Sequence, residues 1–213
     1  MERETKHEVG VRLFDFEIDD VLVVDLGPDI LQKLKSNIMK DWQSFKPANN
    51  TLAGQIKDEY ALPDDLKKDV DRLVSQFIPH YDLEGYLSDL KYFGDVFWKF
   101  KLDNAWVNFQ KKHEYNPVHR HTGILSFVIW LQIPYTMEDE LQHSSYKDDC
   151  VNGCFQFITA NTRGNFRTNQ ITTDKSWENK MILFPADMLH CVYPFYTSDD
   201  YRISISGNYV LDQ

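Results

Sequence analysis

Cysteine is scarce in this chain of 213 residues: Cys150, Cys154 and Cys191 are the only three, and none belongs to a CxxC pair. Three thiols cannot all pair with one another. With no second Cys/His pair at local spacing to complete a zinc site on Cys150 and Cys154, they read as buried or surface thiols. Long apolar runs are missing too. No segment approaches the roughly 18 residues needed to cross a bilayer, and the opening MERETKHEVG lacks the apolar centre of a signal peptide. A cytoplasmic protein with no membrane partner is therefore expected. Positive charge is in deficit, with Lys+Arg at 23 against Asp+Glu at 33 and a formal charge of -10. A field of that sign repels a phosphate backbone, so nucleic acid is disfavoured as a partner. Internal repeats, low-complexity tracts and Gly/Ser-rich linkers are absent as well. Residues 1–213 read as one domain, long enough to bury a sizeable core.

What the chain has in quantity is aromatic side chains: 14 Phe, 11 Tyr and 5 Trp. Such residues must dominate the core, and Trp106 and Trp130 are read as part of that filling. The pattern changes near residue 100. Before it, VRLFDFEIDDVLVVDL reads as a strand or hairpin, followed by a helix with Ile30, Leu31, Leu34 and Ile38 at helical spacing behind Pro28. A second helix carries Leu66, Val70, Leu73, Val74 and Phe77, with Pro63 and acids at its start and Pro79 at its end. After residue 100 strands dominate: FWKFKLDNAWVNFQ, ILSFVIWLQIP, GCFQFITAN, KMILFP and YRISISGNYVL. Turn chemistry separates them at NP 116, NG 152, RGN 163 and TSDD 197. The fold class is mainly β with flanking helices. Residues 101–213 form a sandwich or barrel, and residues 1–100 supply a support layer whose helices pack on one outer face.

Within NPVHRHTGILSFVIW, His119 and His121 sit at i and i+2, so a strand would project both from one face. Two neutral imidazoles suit Fe(II), Zn(II), Ni(II) or Cu(II), with a third ligand from a distant strand. Taken alone, HxH reads more readily as a pair of solvated histidines capping a strand. About seventy residues on, MILF ends at Pro185 and His190 follows in a short connecting turn at the sheet rim. In the last strand Arg202, Ser204, Ser206 and Asn208 alternate with Ile203, Ile205 and Tyr209. That polar row is either a solvated strand face or, with Arg202 as an anion clamp and Ser204 beside it, the inner wall of a pocket. His113 and His143 lie in loop signals and, with His80, stand apart from this set.

Together these pieces resemble the Fe(II)- and 2-oxoglutarate-dependent oxygenases, a superfamily with an HxD or HxE pair early in a double-stranded β-helix, a late His, and an Arg followed two residues on by a Ser. Here the matching residues are His119 and His121, His190, and Arg202 with Ser204. More narrowly, WVNFQKKHEYNPVHRHTGILSFVIWLQIP, FPADMLHCVYPF, RISISGN and the upstream NNTLAGQIKDEY look like oxygenases of tailed phages of marine bacteria. The resemblance runs from about residue 50 to the C-terminus. It implies a jelly-roll, cupin-like core, Fe(II) on His119, His121 and His190, and 2-oxoglutarate with its far carboxylate on Arg202 and Ser204 and a further hydrogen bond from Asn108. It also implies O2 as co-reactant, release of succinate and CO2, and hydroxylation of a small molecule or protein side chain held by loops such as 135–150 and 160–178.

One departure stands out. His121 occupies the position where most of the superfamily has a carboxylate, which makes the ligand set one charge more positive and disfavours halogenation, since an imidazole fills the site a halide would take. A cupin-like metal-dependent dioxygenase without 2-oxoglutarate and a non-enzymatic metal-binding β-barrel stay open as alternatives. The aromatic-rich N-terminal layer offers a face for a homodimer.

Overall fold

The computed structural model describes residues 12–15, 21–81, 99–144, 150–160 and 163–212. Outside them lie the charged N-terminal decapeptide, residues 16–20 and 97–98 of the expected strands, and parts of the two expected specificity loops (145–149 and 161–162).

Short alternating segments and turn residues produce eleven strands among the described residues. They are β1 (Arg12–Asp15), β2 (Leu22–Asp25), β3 (Asp58–Ala61), β4 (Phe100–Gln110), β5 (Asn116–His119), β6 (Leu125–Gln132), β7 (Phe155–Ala160), β8 (Phe166–Ile171), β9 (Lys180–Pro185), β10 (Leu189–Val192) and β11 (Arg202–Leu211). They form a seven-stranded sheet ordered β1-β2-β9-β6-β11-β4-β3 and a four-stranded sheet ordered β5-β10-β7-β8. Every pairing is antiparallel. This is the expected two-sheet jelly-roll core. β6 is hydrogen-bonded on both sides, by β9 and β11, and is buried through Leu131, which is why its sequence is a continuous apolar run rather than an alternation.

Two amphipathic helices cover one outer face. α1 (Pro28–Asp41) begins on Pro28 with Asp29 in its first turn and Lys40 in its last, each favourable to the helix dipole. α2 (Asp64–Ser75) follows Pro63 and opens with Asp64 and Asp65. Leu31, Leu34 and Ile38 from α1, with Leu66, Val70, Leu73 and Val74 from α2, join Val107, Phe109, Phe127, Ile129, Ile203 and Ile205 of the large sheet in one core. Each fully buried aliphatic side chain there contributes about 1.5–3 kcal/mol. β2 and β3 come from before residue 100 yet are strands of the large sheet, so the N-terminal part extends that sheet as well as covering it.

A second core lies between the sheets, where Val128, Trp130, Ile182 and Phe184 of the large sheet meet Phe155 and Phe157 of the small one. It gives the metal-binding candidates their apolar surroundings.

Four local expectations change. Asn116 and Pro117 open β5 instead of turning, and Phe166–Ile171, expected in a loop, form the edge strand β8. His143 ends a short helix, α3 (Met137–His143), started by Thr136, whose hydroxyl accepts the Asp139 N–H at 3.2 Å. His190 lies inside β10 rather than in a turn: Pro185–Met188 already reverses the chain, closing with a Met188 N–H to Pro185 carbonyl bond of 3.1 Å.

Candidate functional site

Strand register assembles the site. On the small sheet His190 lies directly opposite His119. His121 follows the end of β5, and its backbone N–H donates to the Ala186 carbonyl at 2.7 Å, which ties it beside the turn that delivers His190. The three imidazole centroids are 4.3 Å (His119–His190), 4.9 Å (His119–His121) and 5.0 Å (His121–His190) apart. One ligand nitrogen from each lies within 4.8 Å of the others, and among the described residues these side chains form a group able to hold one metal ion.

Their protonation suits that role. Nδ1 of His119 meets the Pro117 carbonyl at 2.7 Å and Nδ1 of His190 meets the Met188 carbonyl at 2.9 Å. A carbonyl only accepts, so both Nδ1 atoms carry the proton and both Nε2 atoms present a lone pair. Burial holds His119 below its ordinary range, with the Pro117 carbonyl pulling the other way. Burial first, and then the His119 charge, pushes His121 down to about 4. Burial pushes His190 well down, with His119 and His121 adding to it. His190 is stacked on Phe155 at 5.3 Å and edged by Phe184 at 5.1 Å, and this apolar wall is the cause of the desolvation.

Facing them, the large sheet contributes the polar row. The register sets Arg202 opposite Gln110, Ser204 opposite Asn108 and Ser206 opposite Trp106, all on one face. That face and the three histidines line a narrow cavity of about 40 Å³. Arg202 is 2% exposed and its guanidinium is fully engaged. Nε and Nη2 donate to Gln110 Oε1 at 3.1 and 2.5 Å, and Nη1 donates to the Tyr135 hydroxyl at 2.7 Å and the Gly153 carbonyl at 2.6 Å. Nη2 also reaches the Tyr193 carbonyl at 3.5 Å. Every one of these acceptors is neutral, and no described carboxylate forms an ion pair with Arg202. Asn108 donates to Ser204 Oγ at 3.3 Å, while its own Oδ1 is buried without a partner.

Residues 104–208 match the family model described as "Putative 2OG-Fe(II) oxygenase". The chain belongs to the Fe(II)- and 2-oxoglutarate-dependent oxygenases. No curated protein matches it. Solved structures similar to this oxygenase include a prolyl-4-hydroxylase from Pseudomonas putida, at 13% identity and TM-score 0.53, covering 89% of this chain and 90% of that one. HygX from Streptomyces hygroscopicus, crystallised with nickel and 2-oxoglutarate, is 11% identical with TM-score 0.53, covering 90% and 82%. A 2OG-Fe(II) oxygenase family oxidoreductase from Burkholderia pseudomallei is 12% identical with TM-score 0.52, covering 90% and 85%. At such identities these likenesses speak to the fold. The enzyme is a 2-oxoglutarate-dependent dioxygenase, and none of its described helices is long and apolar enough to cross a membrane.

All six residues singled out in the sequence, His119, His121, His190, Arg202, Ser204 and Asn108, line this one cavity. His113 and His143 instead pack on Tyr196, at 5.1 and 5.3 Å. Trp106 is more than core filling: it lies 5.5 Å from the His121 ring and lines the cavity, as Trp130 does. Gln110, Tyr135 and Gly153 escaped the sequence reading. Gln110 shares the strand face of Asn108 and was open to the alternation argument; Tyr135 and Gly153 reach Arg202 from loops that carry no such signal.

Proposed function

We propose that His119, His121 and His190 hold the Fe(II) of this oxygenase as a three-imidazole face, and that Arg202 and Ser204 receive the far carboxylate of 2-oxoglutarate. The observation that carries this reading is the Arg202 guanidinium, a buried cation with no anionic partner among the described residues, lining the same cavity as the histidines. An unpaired buried charge costs several kcal/mol. A dicarboxylate reaching from the histidines to Arg202 supplies the missing charge, its oxygen taking over the Nη2 donor that now makes only the long 3.5 Å contact to the Tyr193 carbonyl. Asn108 fits the same ligand: with its amide turned, Ser204 donates to Oδ1 and the NH2 group is free for a carboxylate oxygen.

When bound, Fe(II) and 2-oxoglutarate supply the oxidising chemistry, in which O2 is consumed, 2-oxoglutarate is split to succinate and CO2, and one oxygen atom enters a substrate C–H bond. The chain's own part is geometry, dryness and charge. The Pro117 and Met188 carbonyls fix two imidazole tautomers, Phe155 and Phe184 exclude water from His190, and the Gln110–Tyr135–Gly153 cage holds the Arg202 fork in one orientation. A three-imidazole set lacks the usual carboxylate charge, and this favours one second reading, a cupin-like dioxygenase without 2-oxoglutarate; the anion-free Arg202 counts against it.

The substrate is a small molecule or a protein side chain. Residues 1–213 are proposed to fold as one unit in the cytoplasm. A homodimer through the helical layer, where Ile30 and Met39 of α1 are exposed, would register as a doubled mass in sedimentation equilibrium. The function is tested with protein loaded anaerobically with Fe(II) and 2-oxoglutarate and then given O2. Slow succinate formation, absent in His190→Ala, is expected. No succinate, together with undiminished 2-oxoglutarate binding by Arg202→Ala, would refute the reading.

A further inference from the structure

Along the inner face of β4 and β11 the side chains form successive rows: Arg202 with Gln110, Ser204 with Asn108, Ser206 with Trp106, and Asn208 with Asn104. The first three rows line the cavity already described. The fourth belongs to a separate cavity of about 290 Å³, lined by Asn104, Trp106, Arg120, His121, Thr122 and Asn208 together with the 48–52 segment. The two cavities share Trp106 and His121 as a common wall. The second therefore abuts the metal-binding candidates from the end of the barrel opposite Arg202.

Its charge is unusual for this molecule. The chain carries a formal charge of -10, yet among the described residues no Asp or Glu lines this cavity, and Arg120 is the cation that does. Among the described residues no hydrogen bond or ion pair engages the Arg120 guanidinium. The neutral polar groups are already committed to one another: Asn208 Nδ2 donates to Asn104 Oδ1 at 2.8 Å, and Ser126 donates to Asn208 Oδ1 at 2.6 Å. The Thr51 hydroxyl likewise donates to the Ala48 carbonyl at 2.9 Å, which leaves Arg120 and the Thr122 side chain for a ligand. Leu52, Ala48 and Trp106 supply apolar wall. Among the described residues an ammonium group would meet a cation there and no acid; a carboxylate or phosphate would meet its natural partner.

We propose that this cavity is the binding site for a small organic anion, a carboxylate or phosphate ester, held by Arg120 with its apolar part against Trp106. The proposal rests on the oxygenase reading and names the substrate class for it. Anchoring at Arg120 sets the neighbouring carbon atoms beside the Trp106–His121 wall, on the side away from the 2-oxoglutarate clamp.

Inorganic phosphate is the probe. It is titrated into protein held in saturating 2-oxoglutarate, which keeps Arg202 occupied, and tryptophan emission is followed. A saturable change is expected, lost in Trp106→Phe, weakened about tenfold or more in Arg120→Gln and largely kept in Arg120→Lys. Acetate should act like phosphate and tetramethylammonium should not. Arg120 is exposed, so its variants leave the core intact, and calorimetry of 2-oxoglutarate binding is run on each in parallel. An Arg120→Gln titration matching wild type, or an equal response to tetramethylammonium, overturns the proposal. Normal 2-oxoglutarate binding with no phosphate response overturns the substrate class and leaves the oxygenase reading standing; failure of 2-oxoglutarate to bind wild type overturns the oxygenase reading itself.

Discussion

Replacing Arg202 by Lys keeps the buried charge and removes the fork. Arg202 makes five bonds to Gln110, Tyr135, Gly153 and Tyr193. These bonds end on four acceptor atoms, since Gln110 Oε1 takes two of them; an ammonium has three donors, so at least one acceptor loses its charged partner, at about 1.5–3 kcal/mol. The apo variant should therefore be less stable by about 1.5–3 kcal/mol, less where a water fills in. For the ligand, breaking a buried, hydrogen-bonded charge pair typically costs about 2–5 kcal/mol, and Lys should sit near the low end, roughly a hundredfold in Kd. The assay is urea unfolding of the metal-loaded protein with and without 2-oxoglutarate, under argon. At a ligand concentration of about 100 times the wild-type Kd, wild type gains about 2.7 kcal/mol, whereas a variant weakened a hundredfold gains only about 0.4 kcal/mol. An equal gain in both proteins would show that 2-oxoglutarate does not use Arg202, and the reasoning would fail at its first step.

Glu59 is 1% exposed, and burial, reinforced by the Glu114 charge, pushes its carboxyl up to about 7 from 4.5. The folded state thus binds the proton more tightly than the unfolded one; this stabilisation is complete below pH 4.5 and is lost as pH rises towards about 7. The gap between 4.5 and about 7 corresponds to about 3 kcal/mol. Glu59→Gln should flatten the dependence of Tm on pH and raise Tm at pH above 7, and an unchanged slope would rule out Glu59 as its source. Gly153 has φ 70°, and a Cβ there would lie 2.6 Å from the Tyr135 ring. Gly153→Ala should cost about 2 kcal/mol or more, and it should also weaken 2-oxoglutarate, because the displaced carbonyl is the one Arg202 and Thr173 share; calorimetry of the variant checks both. Glu140, fully buried, accepts from Tyr196 N, Thr197 N and Thr197 Oγ1 at 2.6–3.1 Å. Glu140→Gln should lose about 2–3 kcal/mol in urea unfolding, because hydrogen bonds to a charged group are the stronger ones.

Much of the site was legible because strand periodicity is rigid. Once Arg202 and Ser204 share a face with period two, Ser206 and Asn208 follow, and β4 mirrors them through Asn108 and Gln110. The helices were legible for the same reason at period 3.6: Leu31, Leu34 and Ile38 are buried as their spacing requires, but Ile30, expected with them, lies in the first turn and is exposed. What escaped depends on where distant loops return. Tyr135 and Gly153 reach Arg202 across separations of 67 and 49 residues, and no local pattern encodes that meeting. The placement of His190 in a strand was missed because Pro185–Met188 turns the chain within four residues, tighter than the sequence suggested. Trp106 is buried, as its size and position suggest, and only the tertiary arrangement shows that it also parts two cavities.

The account's central claim is that three histidines hold one metal to which 2-oxoglutarate binds directly. Anaerobic Fe(II) titration followed by 2-oxoglutarate, read by visible absorption, tests it in one experiment. The prediction is one iron per chain and a new absorption band on adding 2-oxoglutarate, both lost in His121→Ala. One bound iron whose spectrum ignores 2-oxoglutarate, or full metal binding and the same band in His121→Ala, would contradict it.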